Sequence, residues 1–417
     1  MIQLCEDKEC TGCMACVNGC VTNAIEIVKD AEGFLRPAIK YERCVQCGNC
    51  VRICPQINKV EKHYGEKKVY ACWLKQSSIR KNSTSGGAFT AIAEQIVKEN
   101  GIVVGVGFDE NLRVTHKIVR DRKRLYELRG SKYVQSDIGL IYRDVGKFIV
   151  NGKKVLFTGT SCQIAGLYAY LGKKYEGQLW TIDLVCHGVP SPEIYEKYLK
   201  YMEEQYGAKA KKIFFRNKKP GWFVYGMRIE FDDGTTYEND TYHDAFLRGF
   251  LRNLFLRPSC HQCKYANLDR VADITLADFW GYIETSNRNK DDDKGISMVM
   301  INSNEGEKLF LKAKKRLKTW EKPLEEAING NPALRECFPV ATNREDFWHD
   351  YRSMNFEDVI AKYMYSEEVP DWAKDRQAVL KKARRNRTLT LIRKFPKKFL
   401  KRIIGEKKYD ILKAKIK

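Results

Sequence analysis

Cys10-Thr11-Gly12-Cys13-Met14-Ala15-Cys16-Val17-Asn18-Gly19-Cys20 is followed, after a spacer, by Cys44-Val45-Gln46-Cys47-Gly48-Asn49-Cys50-Val51-Arg52-Ile53-Cys54-Pro55. Both halves space their thiols Cys-x2-Cys-x2-Cys-x3-Cys. Three thiolates at two-residue gaps form a loop tight enough to wrap three corners of one iron–sulfur cubane, and the fourth, three residues on, reaches a second one. This logic assigns Cys10, Cys13, Cys16 and Cys54 to one 4Fe-4S cluster and Cys44, Cys47, Cys50 and Cys20 to another. Pro55 turns the chain away after the second run; Val21 stands at that place in the first, where no ligand is affected. Zinc knuckles and disulfide frameworks also use Cys-x2-Cys, but neither needs four cysteines at these gaps twice over. The chain is expected to move electrons.

Each half resembles the bacterial ferredoxin run, so residues 1–60 are expected to form an α+β ferredoxin-like domain with two 4Fe-4S clusters. Such a small fold is stapled by its clusters because its own core is slight. Between the runs, Ala24 to Val28 and Gly33 to Pro37 read as short strands around a turn. Cys5 falls outside the pattern and reads as a spare thiol. The polar segment Asn58 to Lys68 reads as a linker.

At 417 residues, 43% of them hydrophobic, the whole chain is long enough for two or three domains with a large core. No run approaches the ~18 apolar residues of a membrane span. Cluster ligands begin at Cys10 with no apolar region before them, so no signal peptide is expected. Fifteen cysteines then point to thiols kept reduced in the cytoplasm.

After the linker, Val69 to Leu74 reads as a strand and leads to Ser83-Thr84-Ser85-Gly86-Gly87-Ala88-Phe89. From Ala88 to Lys98, Phe89, Ile92, Ala93, Ile96 and Val97 recur at helical spacing. A Ser/Gly turn opening a helix offers backbone N–H groups to an anion such as a pyrophosphate; an ordinary Ser/Thr N-cap with a packing glycine explains the same residues. Gly101 to Phe108 and Val114 to Val119 read as strands. The loop Arg129-Gly130-Ser131-Lys132-Tyr133 combines a cation, a hydroxyl and a ring, which suits a flavin or nucleotide and equally an ordinary solvated loop. Val155-Leu156-Phe157-Thr158-Gly159-Thr160-Ser161-Cys162-Gln163 and Leu179 to Gly188 each run from a buried strand into a turn carrying a cysteine, Cys162 and Cys186. Strand ends of this kind line the ligand crevice of open α/β sheets. Cys260-x2-Cys263 adds two more thiols, and Ala272 to Gly281 another strand and turn. These four cysteines are the number a third 4Fe-4S cluster requires, while a tetrahedral zinc or a Cys260/Cys263 dithiol stays open. His187 and His261, beside two of them, are expected to hydrogen-bond to sulfur or solvent. Cys72 and Cys337 are expected in the core.

The order of these motifs, from the ferredoxin runs through Ser85-Gly86-Gly87, Gly130-Ser131-Lys132-Tyr133, Gly159-Thr160-Ser161-Cys162-Gln163, Cys186-His187-Gly188 and Cys260-x2-Cys263 to Asp278-Phe279-Trp280-Gly281, resembles the beta subunit of coenzyme F-420-reducing hydrogenases and related dehydrogenases. The resemblance spans Met1 to about Lys322. It implies an α/β flavoprotein core after the ferredoxin domain, with an N-terminal-type block at 69–150 and a C-terminal-type block at 151–322. It also implies FAD and supports the third cluster at Cys162, Cys186, Cys260 and Cys263; Ser85, Gly86, Gly87, Ser131, Lys132, Tyr133, Thr158, Gly159, Thr160 and Asp278 are the expected cofactor-binding residues, and the helix start and the Ser131 loop point to phosphate binding and to Lys132 as the catalytic cation. Electrons would pass between the clusters and a hydride carrier of the deazaflavin coenzyme F-420 type or another reducible substrate, as in the related plant hydroxymethyl-chlorophyll reductase. The family usually has proline where Ser161 stands and glycine where Ala277 stands.

Residues 323–417 lie beyond the resemblance and are expected to form a helical extension, with Phe347, Trp348, Tyr351 and Met354 along one packed face, and a basic amphipathic tail. From Lys374 onward 18 basic residues face 3 acidic ones, which supplies most of the net charge of +21. Such a helix suits an anionic membrane surface at the inner membrane face or the protein's own body; nucleic acid is less favoured because no recognition motif accompanies the charge. Two functions follow: a flavin-dependent oxidoreductase fed by a ferredoxin or redox partner protein, or a non-catalytic electron-transfer subunit for a partner enzyme.

Overall fold

The computed structural model describes residues 2–60, 66–172, 175, 177–219, 221–284 and 291–365, together with 401, 405, 406, 409 and 410. Most of the expected basic tail therefore lies outside the described residues, and so does its proposed amphipathic face.

In the N-terminal module, β1 (Ile25–Lys29) and β2 (Leu35–Ile39) pair antiparallel around the fully buried Phe34. Short helices Ala15–Gly19 and Asn49–Arg52 carry Cys16 and Cys50 and pack against each other. The two expected strands are present, displaced by a residue or two.

The core is an eight-stranded mixed sheet. Its strands are β3 (Lys68–Leu74), β4 (Ile102–Phe108), β5 (Val114–Val119), β6 (Val155–Thr160), β7 (Leu179–Leu184), β11 (Ile274–Asp278), β12 (Ser297–Ile301) and β13 (Leu317–Lys322), in the order β13-β3-β12-β11-β7-β6-β4-β5. The neighbours β11, β7, β6 and β4 run parallel. They read as continuous apolar runs because both faces are covered: alternate residues serve opposite cores, Val103 and Leu156 on one side, Val104, Val155 and Phe157 on the other. Helices Ala88–Lys98 and Asn304–Lys314 cover the first face; Ile141–Val150, Ser161–Leu171 and the N-terminal module cover the second. Blocks 69–150 and 151–322 both contribute strands.

Between β7 and β11 the chain builds a second layer. Ser191 caps helix Pro192–Tyr206, with Pro192 in its first turn. An antiparallel sheet of β8 (Ala210–Asn217), β9 (Gly226–Phe231) and β10 (Thr236–Asp240) packs with that helix and with Ala245–Leu251. Helix Arg344–Ser353 completes this core through Phe347 and Trp348, both buried. Met354 departs from the expected face: the helix ends at Ser353 and the methionine is exposed.

Because β6, β7 and β11 are parallel, their carboxyl ends share one edge of the sheet. Thr160, Leu184 and Asp278 end there, and Cys162 and Cys186 follow directly.

Candidate electron-transfer and cofactor site

In the N-terminal module the thiols form two groups. Cys13 and Cys16 are buried beside Cys10 and Cys54; burial pushes the Cys13 thiol up to about 12 and Cys16 well above its ordinary value, and the neighbouring sulfurs add to both shifts. Thiols that raise one another in this way are ionised together only if compensating positive charge sits among them, which is what a cluster's irons provide. The second group is outermost: Cys50 is buried next to Cys44 and Cys47, and Cys47 is exposed. Cys20 borders the same region, where Asn49 Nδ2 donates to the Gly19 carbonyl at 2.7 Å. Burial works against ionising Cys20, yet hydrogen bonds from Thr22 and the Ala24 N–H hold its thiol below the ordinary value. Cys5 is not remote, as its position outside the motif suggested. It lies close enough to Cys10 and Cys54 for the three thiols to act on one another's ionisation.

Cys162, Cys186, Cys260 and Cys263 converge from three separate loops. Burial raises all four thiols, to about 12 for Cys260 and about 11 for Cys263, and charge on the other sulfurs of the set adds to the shift at Cys186, Cys260 and Cys263. Among the described residues no three His, Cys, Asp or Glu side chains sit close enough to hold a single metal ion; thiolates around a cubane bind separate irons and stand wider apart than ligands of one ion. Cys162 is also near enough to Cys13 to act on its ionisation. His187 Nε2 meets Asn253 Oδ1 at 2.7 Å and His261 Nδ1 meets the Phe338 carbonyl at 3.0 Å, so one nitrogen of each ring has a protein partner. Cys337 corrects its core assignment: it is half-buried, and its Sγ donates to the His261 carbonyl at 2.9 Å, beside Cys263. Cys72 is in the core as expected.

Beyond Cys162 and Cys186 opens a cavity of about 680 Å³. Its wall includes Ser85, Gly87, Ser131, Lys132, Tyr133, Thr158, Gly159, Thr160 and Asp278. Gly86 stands behind it, so close to the Cys72 carbonyl that no Cβ fits. Gly87 caps helix Ala88–Lys98 in the left-handed region, φ 89°, with no side-chain cap, which removes the ordinary Ser/Thr cap as the explanation of this turn. Thr84 Oγ1 accepts from Ser131 N at 2.8 Å and ties the two loops together. Thr160 and Gln163 form a capping box at helix Ser161–Leu171. Ser161 fills its place with hydrogen bonds: it donates to Asp183 Oδ2 at 2.8 Å and accepts from Arg270 Nη2 at 2.7 Å.

Lys132 is clamped. Its Nζ donates to the carbonyls of Val106 at 2.8 Å, Arg129 at 2.9 Å and Glu127 at 3.4 Å. Burial, with Lys117 nearby, lowers its pKa to about 7. Asp278 is equally engaged: it accepts from Trp222 Nε1 at 2.5 Å and pairs with Arg216 at 2.9 Å. Sequence reasoning missed Arg216. Its guanidinium lies 3.6 Å from the Tyr225 ring centre, donates to Tyr133 Oη at 3.0 Å, and has Nε and Nη2 without an acceptor among the described residues. The available signal was a cation inside the apolar strand Ile213-Phe214-Phe215-Arg216.

Residues 69–140 match the family model for coenzyme F420 hydrogenase/dehydrogenase, beta subunit N-term, and residues 152–327 match that for its C terminus. The chain belongs to the coenzyme F420 hydrogenase/dehydrogenase beta subunit family. Residues 9–57 match a 4Fe-4S dicluster domain. This member of the beta subunit family is therefore an iron–sulfur protein of oxidoreductase type, with a ferredoxin-type domain ahead of the family core. No curated protein matches it. A solved structure of the F420-reducing NiFe hydrogenase complex from Methanosarcina barkeri, derivatised with xenon, shares 22% identity over 66% of this chain and 89% of the other, with a TM-score of 0.43, a likeness too loose to bear on this chain's chemistry. No helix among the described residues is long and apolar enough to cross a membrane.

Proposed function

We propose that this beta subunit family member is an iron–sulfur flavoprotein oxidoreductase, passing electrons between its ferredoxin-type clusters and a substrate at an FAD in the central cavity. The observation that carries this reading is proximity: the helices carrying Cys16 and Cys50 pack together, Cys13 neighbours Cys162, and Cys162 and Cys186 line the cavity. Cys162, Cys186, Cys260 and Cys263 would hold a third 4Fe-4S cluster, since four mutually repelling buried thiols call for compensating positive charge. The cavity fits a flavin in volume and in donors. Gly87 frees the helix start, where backbone N–H groups would meet phosphate, Thr158, Gly159 and Thr160 form another part of the wall, and Lys132 in its protonated form would stabilise negative charge on the reduced ring. Bound FAD would supply the exchange between single electrons and hydride. The reading keeps the division into 1–60, 69–150, 151–322 and 323–417, and takes a deazaflavin of the F-420 type or another reducible compound as substrate and a ferredoxin or redox subunit as partner. It places the protein in the cytoplasm, with the basic tail docking peripherally on an anionic membrane.

The test is anaerobic reconstitution with iron, sulfide and FAD. Flavin absorbance in the wild type, reduced in occupancy or in rate of bleaching by Lys132→Ala, is the expected result; no flavin binding under any condition sinks the proposal. A flavin-loaded protein that reduces no acceptor by itself supports the electron-transfer-subunit reading instead. For the tail, truncation after Trp372 should abolish salt-sensitive binding to anionic liposomes; equal partition of both forms removes membrane docking.

A further inference from the structure

Arg257 lies where three cysteine loops meet. Its backbone N–H donates to the Val189 carbonyl at 2.9 Å, in the loop that follows Cys186, and its own carbonyl accepts from the Cys260 N–H at 2.9 Å. Its side chain crosses to the N-terminal module, where Nη1 donates to the Cys10 carbonyl at 3.3 Å and Nη2 to the Leu35 carbonyl at 3.2 Å. The guanidinium occupies the space a side chain at Gly12 would need, between Cys10 and Cys13, and lies 4.8 Å from the Phe34 ring centre. Ser259, two residues on, donates to the same Cys10 carbonyl at 3.1 Å. The residue is 3% exposed, and the partners named are neutral carbonyls and a ring, so no carboxylate among them cancels its charge. Its main chain is bonded into the Cys186 and Cys260 loops and its side chain into the Cys10 loop, so the charge stands on the junction between the two sites.

We propose that Arg257 is a positioning residue that sets the reduction potential of the iron–sulfur site at Cys10, Cys13, Cys16 and Cys54 relative to the neighbouring site at Cys162, Cys186, Cys260 and Cys263. An electron arriving at the first site adds one negative charge beside a fixed buried cation, where Coulomb interaction is poorly screened; on leaving for the second site it stays within reach of the same cation. One electron enters, one leaves, and no proton or co-reactant is consumed. Net charge is among the factors that set cluster potentials, and this one is built into the contact between the module and the core. The second half of the inference rests on the third cluster proposed above; the first half does not.

The experiment is a potentiometric titration followed by electron paramagnetic resonance on the reconstituted full chain, comparing wild type, Arg257→Gln and Arg257→Lys. Arg257→Gln should lower the midpoint of the Cys10 site at unchanged iron content and leave the outer Cys44 site unmoved, while Arg257→Lys stays closer to wild type. Repeating the comparison in a Cys260→Ser background, which lacks the third site, separates the two readings: the shift at the Cys10 site must persist there even if no third cluster exists. Unchanged midpoints in Arg257→Gln with full iron overturn the proposal. Loss of iron in both variants makes the residue purely structural and overturns it as well.

Discussion

Gly166 lies directly against Cys13: a Cβ at Gly166 would stand 3.0 Å from the cysteine sulfur and 2.9 Å from its Cβ. The helix Ser161–Leu171, which begins with the turn that presents Cys162, thus also forms the floor under the first ferredoxin loop. Gly166→Val should displace Cys13 and lower iron by about four per chain, with an overpacking cost of about 1–3 kcal/mol. Gly166→Ala should do so partially. Iron analysis with the near-unchanged far-ultraviolet spectrum of the variant checks this, and full iron in Gly166→Val would refute it.

Three cubanes predict about twelve irons per chain. Cys260→Ser should bring the count to about eight and leave the ferredoxin-type signals in place. Anaerobic iron and acid-labile sulfide assays decide the matter; eight irons in both proteins would eliminate the third cluster.

The Asp278–Arg216 pair is buried, the two side chains being 9% and 5% exposed. Asp278→Ala leaves the guanidinium uncompensated and should destabilise by about 3–5 kcal/mol. The double variant Asp278→Ala with Arg216→Met should lose less than Asp278→Ala and Arg216→Met lose in sum, since removing both charges is milder than removing one. Urea midpoints for the single and double variants give the coupling; strict additivity would mean the pair is not energetically linked.

His116 is buried, with Nδ1 3.1 Å from Ser136 Oγ and Nε2 3.2 Å from the Thr158 carbonyl. Burial lowers its pKa to about 4, partly opposed by the Thr158 hydrogen bond. Because the folded value is below the unfolded one, the folded state favours the neutral ring. Its stabilisation is complete above about pH 6.5 and is lost as pH falls toward 4, by about 3 kcal/mol in all. His116→Gln should flatten the difference in urea stability between pH 7 and pH 4.5. An identical pH slope in both proteins would show that the ring does not titrate in this window.

The cysteine spacing made the ferredoxin module readable because its ligands are local: Cys10, Cys13 and Cys16 sit on one loop, and the gaps carry the geometry. The parallel strands were equally legible, since burial on both faces leaves an unbroken apolar run such as Val155-Leu156-Phe157. What escaped depends on distant partners. Cys5 and Cys337 lie outside any motif, and only folding brings them to Cys54 and to the His261–Cys263 turn. Arg216 stands out only as a cation in an apolar strand and Arg257 not even as that, because their meaning comes from Asp278 in one case and from Cys10 in the other. Lys132 was visible, but not the three carbonyls that hold it.

Cys47 is open to solvent while Cys13 and Cys16 are buried, and this gradient has a bearing on how the protein ages in air. Oxidants reach exposed sulfur first, so damage should begin at the outer cluster and proceed inward. A partly aged molecule would be disconnected from its redox partner while its interior was still intact. Repair would then consist of rebuilding a surface loop, without unfolding the core.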